Sequence, residues 1–349
     1  MRLGLNMGYW GMGNDADNLV LAREADALGY SVVWVAEAYG SDAATVLTWI
    51  AAQTSSVDIG SAVFQIPART PAMTAMTAAT LDTLSGGRFR LGLGVSGPQV
   101  SEGWHGVRFD APLGRTREYI DIVRLALSRE RLAYQGNHYV LPLPDGPGKA
   151  LKLTVHPVRE SIPIYLAAVG PKNLELCGEK FDGWLSIFPS ARNLEDSLAP
   201  IRAGREKARS TLEGFDVVAS VGINLDPDIE RGSALLKANA ALYIGGMGSR
   251  EKNFYNAHAR RLGYDEAAGQ IQDRYLSKDY AGAAAAVPTD FIDDTALLGP
   301  VERVAEKMAA YAEAGVTTIS ISPASTSMDE RLAALRGAAE ALQKSGASS

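Results

Sequence analysis

The residues best suited to chemistry directly follow predicted strands. Glu37 comes immediately after an apolar strand, in the segment Ala36-Glu37-Ala38-Tyr39-Gly40. In a barrel of parallel strands, a carboxylate at the carboxyl end of a strand faces the site where ligands bind. Glu37 could therefore orient a ligand or act as an acid or base. A glutamate of an ordinary surface loop is the alternative interpretation.

The segment Gly170-Pro171-Lys172-Asn173 joins a predicted strand to a predicted helix. A helix N-terminus presents free N–H groups and a partial positive charge, and proline suits the first helical position. Because Lys172 adds a full charge, the segment is a candidate phosphate cradle. An ordinary helix start with an exposed lysine is the alternative, since phosphate sites in barrels usually follow the seventh and eighth strands and this is the fifth unit.

Gly92, Gly94 and Gly97 have the G-x-G-x-x-G spacing of a dinucleotide-binding turn. Gly92 and Gly94 fall inside a predicted strand, however, and Pro98 follows Gly97, with the next helix expected more than a dozen residues later. We therefore interpret the match as accidental. Glycines in a strand indicate either the close approach of a ligand or close packing within a barrel, and the sequence leaves both open.

Aromatic residues near the ends of predicted strands could form an apolar wall. Tyr9 and Trp10 follow the first strand, and Trp104 lies beyond the fourth. Packing in the core or at the rim is an equally good account of Tyr9 and Trp10. The neighbouring His105 is interpreted as a loop or packing residue and not as a catalytic base.

Composition excludes several classes of protein. The 349 residues are 46% hydrophobic and 21% charged, as in a soluble globular protein, and the net charge of −6 argues against general affinity for nucleic acid or anionic membranes. Cys177 is the single cysteine, so an internal disulfide and a thiolate-rich metal site are excluded. No apolar run approaches the roughly 20 residues that span a bilayer, and no signal peptide is evident, so a cytoplasmic protein is expected.

The sequence has no G-x-S-x-G motif, no His-Glu-x-x-His motif and no metal-ligand spacing among its four histidines. With no evident nucleophile or metal site, the chemistry is best assigned to a bound cofactor acting on a small-molecule substrate.

The elements that must position these residues alternate between strand-like and helical segments. Apolar runs of strand length, each followed by a helical pattern, occur at residues 3–5, 31–36, 57–63, 89–95, 163–168, 183–187, 216–223 and 316–321. Eight such units favour a closed (β/α)8 TIM barrel over an open doubly wound sheet. We predict a single domain over residues 1–349, with insertions at about 131–160 and 245–295 that could cover the mouth of the barrel.

Several segments resemble the luciferase-like monooxygenase superfamily. In the third and fourth units they are Gly60-Ser61-Ala62-Val63, Arg69-Thr70-Pro71-Ala72, Leu81-Asp82-Thr83-Leu84-Ser85-Gly86-Gly87-Arg88 and Leu91-Gly92-Leu93-Gly94-Val95-Ser96-Gly97. The segments 166–176 and 243–248 are similar to the methylenetetrahydromethanopterin reductase branch. The resemblance covers nearly the whole chain and implies a (β/α)8 barrel that binds FMN or the deazaflavin coenzyme F420.

The resemblance also implies roles for particular residues. The Ala62–Val63 bond corresponds to a bulge that contains, in the deazaflavin members, a non-proline cis peptide behind the cofactor ring. The loop from Ser96 to Val100 would lie along the ring and the ribityl chain, with Gly97 and Gln99 among its contacts. The turn formed by Gly170, Pro171, Lys172 and Asn173 would hold the cofactor phosphate, with Ala168 and Val169 beside it.

By this resemblance the chain is a coenzyme F420-dependent oxidoreductase that transfers a hydride between the deazaflavin and a small organic substrate. Glu37 would orient the substrate or relay a proton, and Tyr9, Trp10 and Trp104 would form the apolar wall. A family histidine typical of sugar-phosphate enzymes is replaced by Ala38, which argues against that substrate class. An FMN-dependent two-component monooxygenase and a non-catalytic flavin- or deazaflavin-binding protein stay open as alternatives. The family also implies a homodimer.

Overall fold

The computed structural model describes residues 1–11 and 15–348, and its main feature is a closed barrel of eight parallel strands. The barrel strands are β1 Arg2–Asn6, β2 Val32–Val35, β3 Asp58–Ser61, β5 Phe89–Gly94, β8 Ile164–Ala167, β9 Gly183–Ile187, β10 Asp216–Asn224 and β12 Thr318–Pro323. They pair in the order in which they occur in the chain, and β12 pairs with β1 to close the barrel, with Arg2 opposite Thr318. The predicted (β/α)8 barrel is confirmed.

Four short strands lie outside this series: β4 Phe64–Gln65, β6 Tyr134–Gln135, β7 Val140–Leu141 and β11 Ala296–Leu298. β6 and β7 form an antiparallel hairpin within the insertion predicted at about residues 131–160. β4 continues the line of β3, because both strands pair with β5. Between them lies the Ala62–Val63 peptide bond, which is cis, as the family resemblance implied.

Helices connect and surround the strands. They are α1 Asp15–Ala27, α2 Ala43–Ala51, α3 Pro71–Leu84, α4 Pro98–Gly103, α5 Pro112–Leu127, α6 Pro171–Lys180, α7 Leu194–Lys207, α8 Ile229–Ala241, α9 Phe254–Arg261, α10 Asp265–Leu276, α11 Tyr280–Ala285, α12 Thr289–Thr295, α13 Val301–Glu313 and α14 Met328–Lys344. Short 3-10 turns occupy Ile66–Ala68 and Ala191–Asn193, and a π-helical turn occupies Leu242–Gly246. No helix in the described part of the chain is both long and apolar enough to cross a lipid bilayer.

Local sequence explains where the helix of the third unit begins and ends. The side chain of Thr70 accepts a hydrogen bond from the Met73 N–H, Pro71 occupies the first helical position, and α3 ends at Leu84 before Gly86 and Gly87, which both have positive φ. Because α3 packs against α5 and β5, these boundaries fix how the fourth strand enters the barrel.

The interior of the barrel is filled by side chains and is not an open channel. Val32, Trp34, Tyr165, Leu185 and Val218 form a buried cluster inside the strands, with Ala62, Val63 and Ala167 packed above it. Trp34 occupies the space that a side chain at residue 60 would need, since a Cβ on that glycine would lie 2.3 Å from the indole. The cluster therefore forms a solid floor beneath the carboxyl end of the barrel.

Between β10 and α13 the chain forms a small helical subdomain. We call residues 229–295 the cap; it contains α8 to α12 and the π-helical turn. The cap has a hydrophobic core of its own, which includes Ala240, Ile244, Ile271, Phe291 and Ile292. The insertion predicted at about residues 245–295 forms the larger part of this cap, which consists of several short helices packed on one another.

Candidate active site

A cavity of about 1110 Å³ opens at the carboxyl end of the barrel, between the strand ends and the cap. All but two of the residues singled out from the sequence line it: Tyr9, Glu37, Ala62, Val63, Ser96, Gly97, Gln99, Val100, Ala168, Val169, Gly170, Pro171, Lys172 and Asn173. Residues separated by more than 160 positions are thus brought to one site by the parallel strands.

Trp10 and Trp104 do not line this cavity. The side chain of Trp104 is 67% exposed, on the outer side of the short helix α4. Trp10 follows Tyr9 in a loop where its backbone N–H donates to Ser41 Oγ at 2.9 Å. The cavity wall of this structure therefore does not include the two tryptophans that the sequence analysis placed there.

The glycines of the fourth barrel strand are explained by packing between strands. A Cβ on Gly92 would lie 1.9 Å from the Ser61 carbonyl oxygen, and one on Gly94 would lie 2.5 Å from Val63 Cγ2. The close approach of the third strand thus requires glycine at both positions, and of the two interpretations left open by the sequence the structure supports barrel packing.

The segment Ser96–Val100 differs from the expected loop, because helix α4 begins at Pro98 immediately after Gly97. The prediction that no helix would start here was wrong. Ser96 precedes the helix with φ 61°, and its hydroxyl donates to Gln65 Oε1 at 2.7 Å. This bond ties the end of the fourth strand to the end of the third.

Gln65 is a site residue that sequence reasoning missed. It is 4% exposed, and its Nε2 donates to the Ala38 carbonyl oxygen at 2.8 Å. Its backbone N–H donates to Glu37 Oε1 at 3.3 Å, and Ser96 donates to its Oε1. Gln65 therefore joins the ends of the second, third and fourth strands. The available signal was a lone polar residue directly after the bulge, between Phe64 and Ile66.

Glu37 is held firmly on one side of the cavity. Its side chain is 8% exposed, and Arg69 pairs with it at 3.1 Å from below. The carboxylate also accepts from the backbone N–H groups of Ala43 at 3.2 Å and Gln65 at 3.3 Å. Burial alone would lower the pKa of Arg69. The neighbouring carboxylates of Glu37 and Asp42 have the larger effect and raise that pKa above its ordinary value, so the guanidinium stays charged.

These contacts give Glu37 a positioning role: it fixes the strand ends around the cavity. Its use as a proton relay stays a prediction.

The turn before α6 has the geometry of an anion site. Gly170 is the N-cap residue, Pro171 occupies the first helical position, and Lys172 is exposed at the edge of the cavity. In the part of the chain that the structure describes, no carboxylate pairs with Lys172, and the buried Oδ1 of Asn173 accepts no hydrogen bond. The helix N-terminus, the lysine and the amide could therefore serve a ligand with a phosphate and neighbouring hydroxyl groups.

The backbone that leads into this turn is braced from two sides. Trp184 Nε1 donates to the Ala168 carbonyl oxygen at 2.8 Å, and Arg261 of the cap donates to the Val169 carbonyl oxygen at 3.2 Å. His258, also in the cap, lies with Nε2 3.0 Å from the Phe188 carbonyl oxygen. The cap is thus fastened to the fifth and sixth strand ends, beside the anion site.

Opposite the anion site, tyrosines from the first strand end and the cap meet. We call Tyr9, Tyr243 and Tyr255 the tyrosine wall. The rings of Tyr243 and Tyr255 pack edge to face with centroids 4.9 Å apart. Burial raises the pKa of Tyr9 to about 12, with smaller contributions from Tyr243 and Tyr39. Only Tyr9 was found from sequence, because the other two lie in the cap, more than 230 residues away.

The chain matches the family model described as luciferase-like monooxygenase over residues 11–318. It is 43% identical to a Mycobacterium tuberculosis protein named as a coenzyme F420-dependent oxidoreductase, over 96% of this chain and 99% of that protein. It is 27% identical to the 5,10-methylenetetrahydromethanopterin reductase of Archaeoglobus fulgidus, over 84% of this chain and 86% of the relative.

Solved structures agree on the fold. The coenzyme F420-dependent tetrahydromethanopterin reductase of Methanopyrus kandleri superposes with a TM-score of 0.81 at 24% identity, covering 96% of this chain and 97% of that one. A coenzyme F420-dependent secondary alcohol dehydrogenase superposes with a TM-score of 0.79 at 18% identity, covering 98% of each chain.

Proposed function

We propose that this chain, which belongs to the luciferase-like monooxygenase family, is an oxidoreductase that uses coenzyme F420 to transfer a hydride to or from a small organic molecule. The observation that carries the proposal is the 43% identity, over 96% of the chain, to a relative named as a coenzyme F420-dependent oxidoreductase. The cavity and its anion site support it, because they supply the space and the donors that such a cofactor needs.

The residues of the cavity fit a deazaflavin nucleotide. The N-terminus of α6 and Lys172 suit its phosphate, and the unpartnered Oδ1 of Asn173 suits a donating hydroxyl of the ribityl chain. Ala62 and Val63 present small apolar groups above the floor of the barrel, where a flat ring could rest. Gly97 leaves the fourth strand end open, since a Cβ there would meet only Gln99 Oε1, at 3.7 Å.

When bound, the reduced deazaflavin supplies a hydride from a ring carbon, and this chemistry proceeds in two-electron steps. The chain contributes binding, orientation and shelter from water. The Glu37–Arg69 pair and Gln65 fix the strand ends, so the walls of the cavity keep their spacing when a ligand enters. The cap closes the cavity from the outside through the contacts of Arg261 and His258 with the strand ends.

The bound chromophore tests this proposal. The protein would be expressed in a host that makes both FMN and coenzyme F420, purified, and examined by absorbance and fluorescence, followed by titration with each cofactor. We expect coenzyme F420 to bind and FMN to bind at least ten times more weakly. Tight FMN binding without affinity for coenzyme F420 would overturn the proposal in favour of the FMN-dependent monooxygenase. Tight binding of coenzyme F420 without turnover on any carbonyl, imine or alcohol would favour a non-catalytic binding protein.

We also propose that the enzyme is a cytoplasmic homodimer. Large apolar side chains on α2 and α3 are about half exposed, namely Trp49 at 53%, Met73 at 48% and Met76 at 51%. Because α2 and α3 pack against each other, exposed apolar side chains on both helices are typical of a protein interface. Light scattering should give twice the chain mass for the wild type and the monomer mass for Trp49→Glu. A monomeric wild type at micromolar concentration would contradict the dimer. The cytoplasmic assignment is supported by the use of one buried cysteine, Cys177, which has no second cysteine to form an internal disulfide.

A further inference from the structure

The tyrosine hydroxyls of this molecule fall into two groups. Those of Tyr30, Tyr119, Tyr165, Tyr264 and Tyr311 donate to protein acceptors. The hydroxyls of Tyr9, Tyr243 and Tyr255 have no hydrogen-bond partner among the residues that the structure describes. Because all three residues line the cavity, their hydroxyl groups are free to donate to a ligand there that accepts hydrogen bonds.

Charged side chains are scarce in the same cavity. Among the described residues that line it, only Glu37, Lys172 and Lys252 carry charge. Glu37 already pairs with Arg69 and accepts hydrogen bonds from backbone N–H groups, and Lys172 lies at the anion site. Lys252 is exposed at the rim. The space in front of the tyrosine wall is therefore neutral, and a charged substrate would lose its hydration there without compensation.

Apolar and aromatic side chains also line the cavity, beside the polar Asn239 and Thr295. Phe188 packs edge to face on Tyr243 with ring centroids 5.7 Å apart, and Leu236, Leu242, Met247 and Ile292 are further apolar lining residues. Faces and edges of aromatic rings in this arrangement favour a flat ring or a conjugated system between them.

We propose that the substrate of this enzyme is a neutral, ring-containing carbonyl compound whose oxygen accepts hydrogen bonds from the tyrosine wall. The inference rests on the proposed function: the reduced cofactor would give its hydride to the carbonyl carbon, the electron pair of the C=O π bond would pass to the oxygen, and that oxygen would take a proton from water, which gives the alcohol and the oxidised cofactor. It adds the chemical class of the substrate and assigns substrate-binding roles to Tyr243 and Tyr255 of the cap beside Tyr9. The wall and the anion site then divide the cavity between substrate and cofactor.

The protonation state of the wall agrees with a donating role. Burial raises the pKa values of Tyr9, Tyr243 and Tyr255, each to about 12, so all three keep their proton at neutral pH. A hydroxyl of this kind donates to a carbonyl oxygen and polarises it, while its acidity is too low for it to bind as a phenolate.

The test uses three probes with one ring system: 2-acetylnaphthalene, the hydrocarbon 2-ethylnaphthalene and the carboxylate 2-naphthoate. Their binding to the full-length protein is measured by calorimetry, with and without coenzyme F420. We expect the ketone to bind about tenfold more tightly than the hydrocarbon, and the carboxylate to bind most weakly. Tyr9→Phe, Tyr243→Phe and Tyr255→Phe should each reduce ketone affinity about three- to tenfold, since each removes one hydrogen bond, and should leave the hydrocarbon unaffected.

A spectroscopic readout separates hydrogen bonding from a change in packing. The infrared carbonyl stretch of the bound ketone should lie at lower frequency than in an apolar solvent and return toward the solvent value in the three variants. Tyr280→Phe is the matched control, because Tyr280 is 55% exposed and outside the cavity, and this variant should behave as wild type.

Equal affinity for ketone and hydrocarbon, or an unshifted carbonyl stretch, would overturn the inference. Tightest binding of the carboxylate would also overturn it and would assign the specificity to Lys252. In each preparation coenzyme F420 binding is measured as well. If the ketone does not bind while coenzyme F420 still binds, only the proposed substrate class is contradicted. If coenzyme F420 does not bind to the wild type, the proposed function itself is contradicted.

Discussion

The two ends of the barrel differ in whether their polar side chains have hydrogen-bond or ion-pair partners within the protein. At the amino end, five residues at or near strand starts form what we call the polar cluster: Asp58, Arg90, Tyr165, Asp216 and Thr318. Arg90 pairs with Asp58 at 2.8 Å and with Asp216 at 3.3 Å. Asp216 also accepts from Tyr165 at 3.0 Å and Thr318 at 2.8 Å.

At the carboxyl end, polar groups are left available. Asn173 Oδ1 and the hydroxyls of the tyrosine wall have no partner in the described structure, and Lys172 faces the cavity without a counter-charge. The same strands thus carry satisfied polar groups at one end and unsatisfied ones at the other. We conclude that the polar cluster contributes to stability, whereas the carboxyl end keeps its hydrogen-bonding capacity for ligands.

The largest effect of a substitution is expected in the polar cluster at the amino end. Asp216→Asn would leave Arg90 buried with only Asp58 to compensate its charge, and should lower the free energy of unfolding by about 3 kcal/mol. Denaturant unfolding measures this loss, and coenzyme F420 affinity of the folded protein should be unchanged. Asp145→Asn, in an exposed loop, is the control with the same chemical change. Weaker cofactor binding without loss of stability would reverse the assignment of the two ends.

At the carboxyl end, Lys172→Glu should weaken coenzyme F420 binding about a hundredfold, because it replaces an attractive charge at the helix N-terminus by a repulsive one. Fluorescence titration gives the affinity, and thermal unfolding should be nearly unchanged. The matched control is Lys149→Glu, which makes the same change of charge outside the cavity. Equal affinities for the two variants would place the phosphate elsewhere.

Glu37→Gln should reduce turnover about tenfold and cofactor affinity less, since the weaker bond to Arg69 loosens the strand ends on the substrate side. Steady-state kinetics and the same titration separate the two quantities. Asp42→Asn removes the other carboxylate on Arg69, outside the cavity, and should have a smaller effect on turnover. Unchanged turnover in Glu37→Gln would remove this residue from the site.

The smallest effect concerns acidic pH. Burial lowers the pKa of His258 below the ordinary value near 6.5, and the charge of Arg261 lowers it further, against the opposing effect of the bond to the Phe188 carbonyl. The unfolded chain therefore takes up this proton first as the pH falls, and the stability that neutral His258 contributes above about pH 6.5 is lost below it.

Hydrogen exchange of the cap at pH 7.5 and 5.5 measures this loss. The protection factors of the cap amides, which correct for the slower intrinsic exchange at acidic pH, should fall on acidification, and should fall less in His258→Gln, which cannot titrate. If the variant and the wild type respond equally, other groups control the acid response of the cap.

The sequence was sufficient for the barrel because its signal is local. Apolar runs such as Val32–Val35 and the capped start of α3 at Thr70 depend on neighbouring residues only. Family segments added the cis bond at Ala62–Val63 and the turn at Gly170, which both lie on the cavity.

What the sequence did not reveal depends on contacts between distant residues. Gln65 bonds to Ala38 across 27 positions, and Tyr243 and Tyr255 come close to Tyr9 only after the chain has passed through six further barrel strands. Trp104 resembles a site residue in the sequence, but the unforeseen helix α4 turns it outward. Side-chain direction at strand ends is set by the loops that follow, and no periodic pattern encodes it.

The separate core of the cap has a consequence for how such enzymes diversify. Mutations in Tyr243 or Tyr255 change a unit whose folding rests on its own packed residues, such as Ile244 and Phe291, while the turn at Lys172 belongs to the barrel. Selection can therefore exchange one acceptor molecule for another without disturbing the redox partner. In laboratory evolution, a library confined to residues 229–295 should yield new specificities at little cost in protein yield.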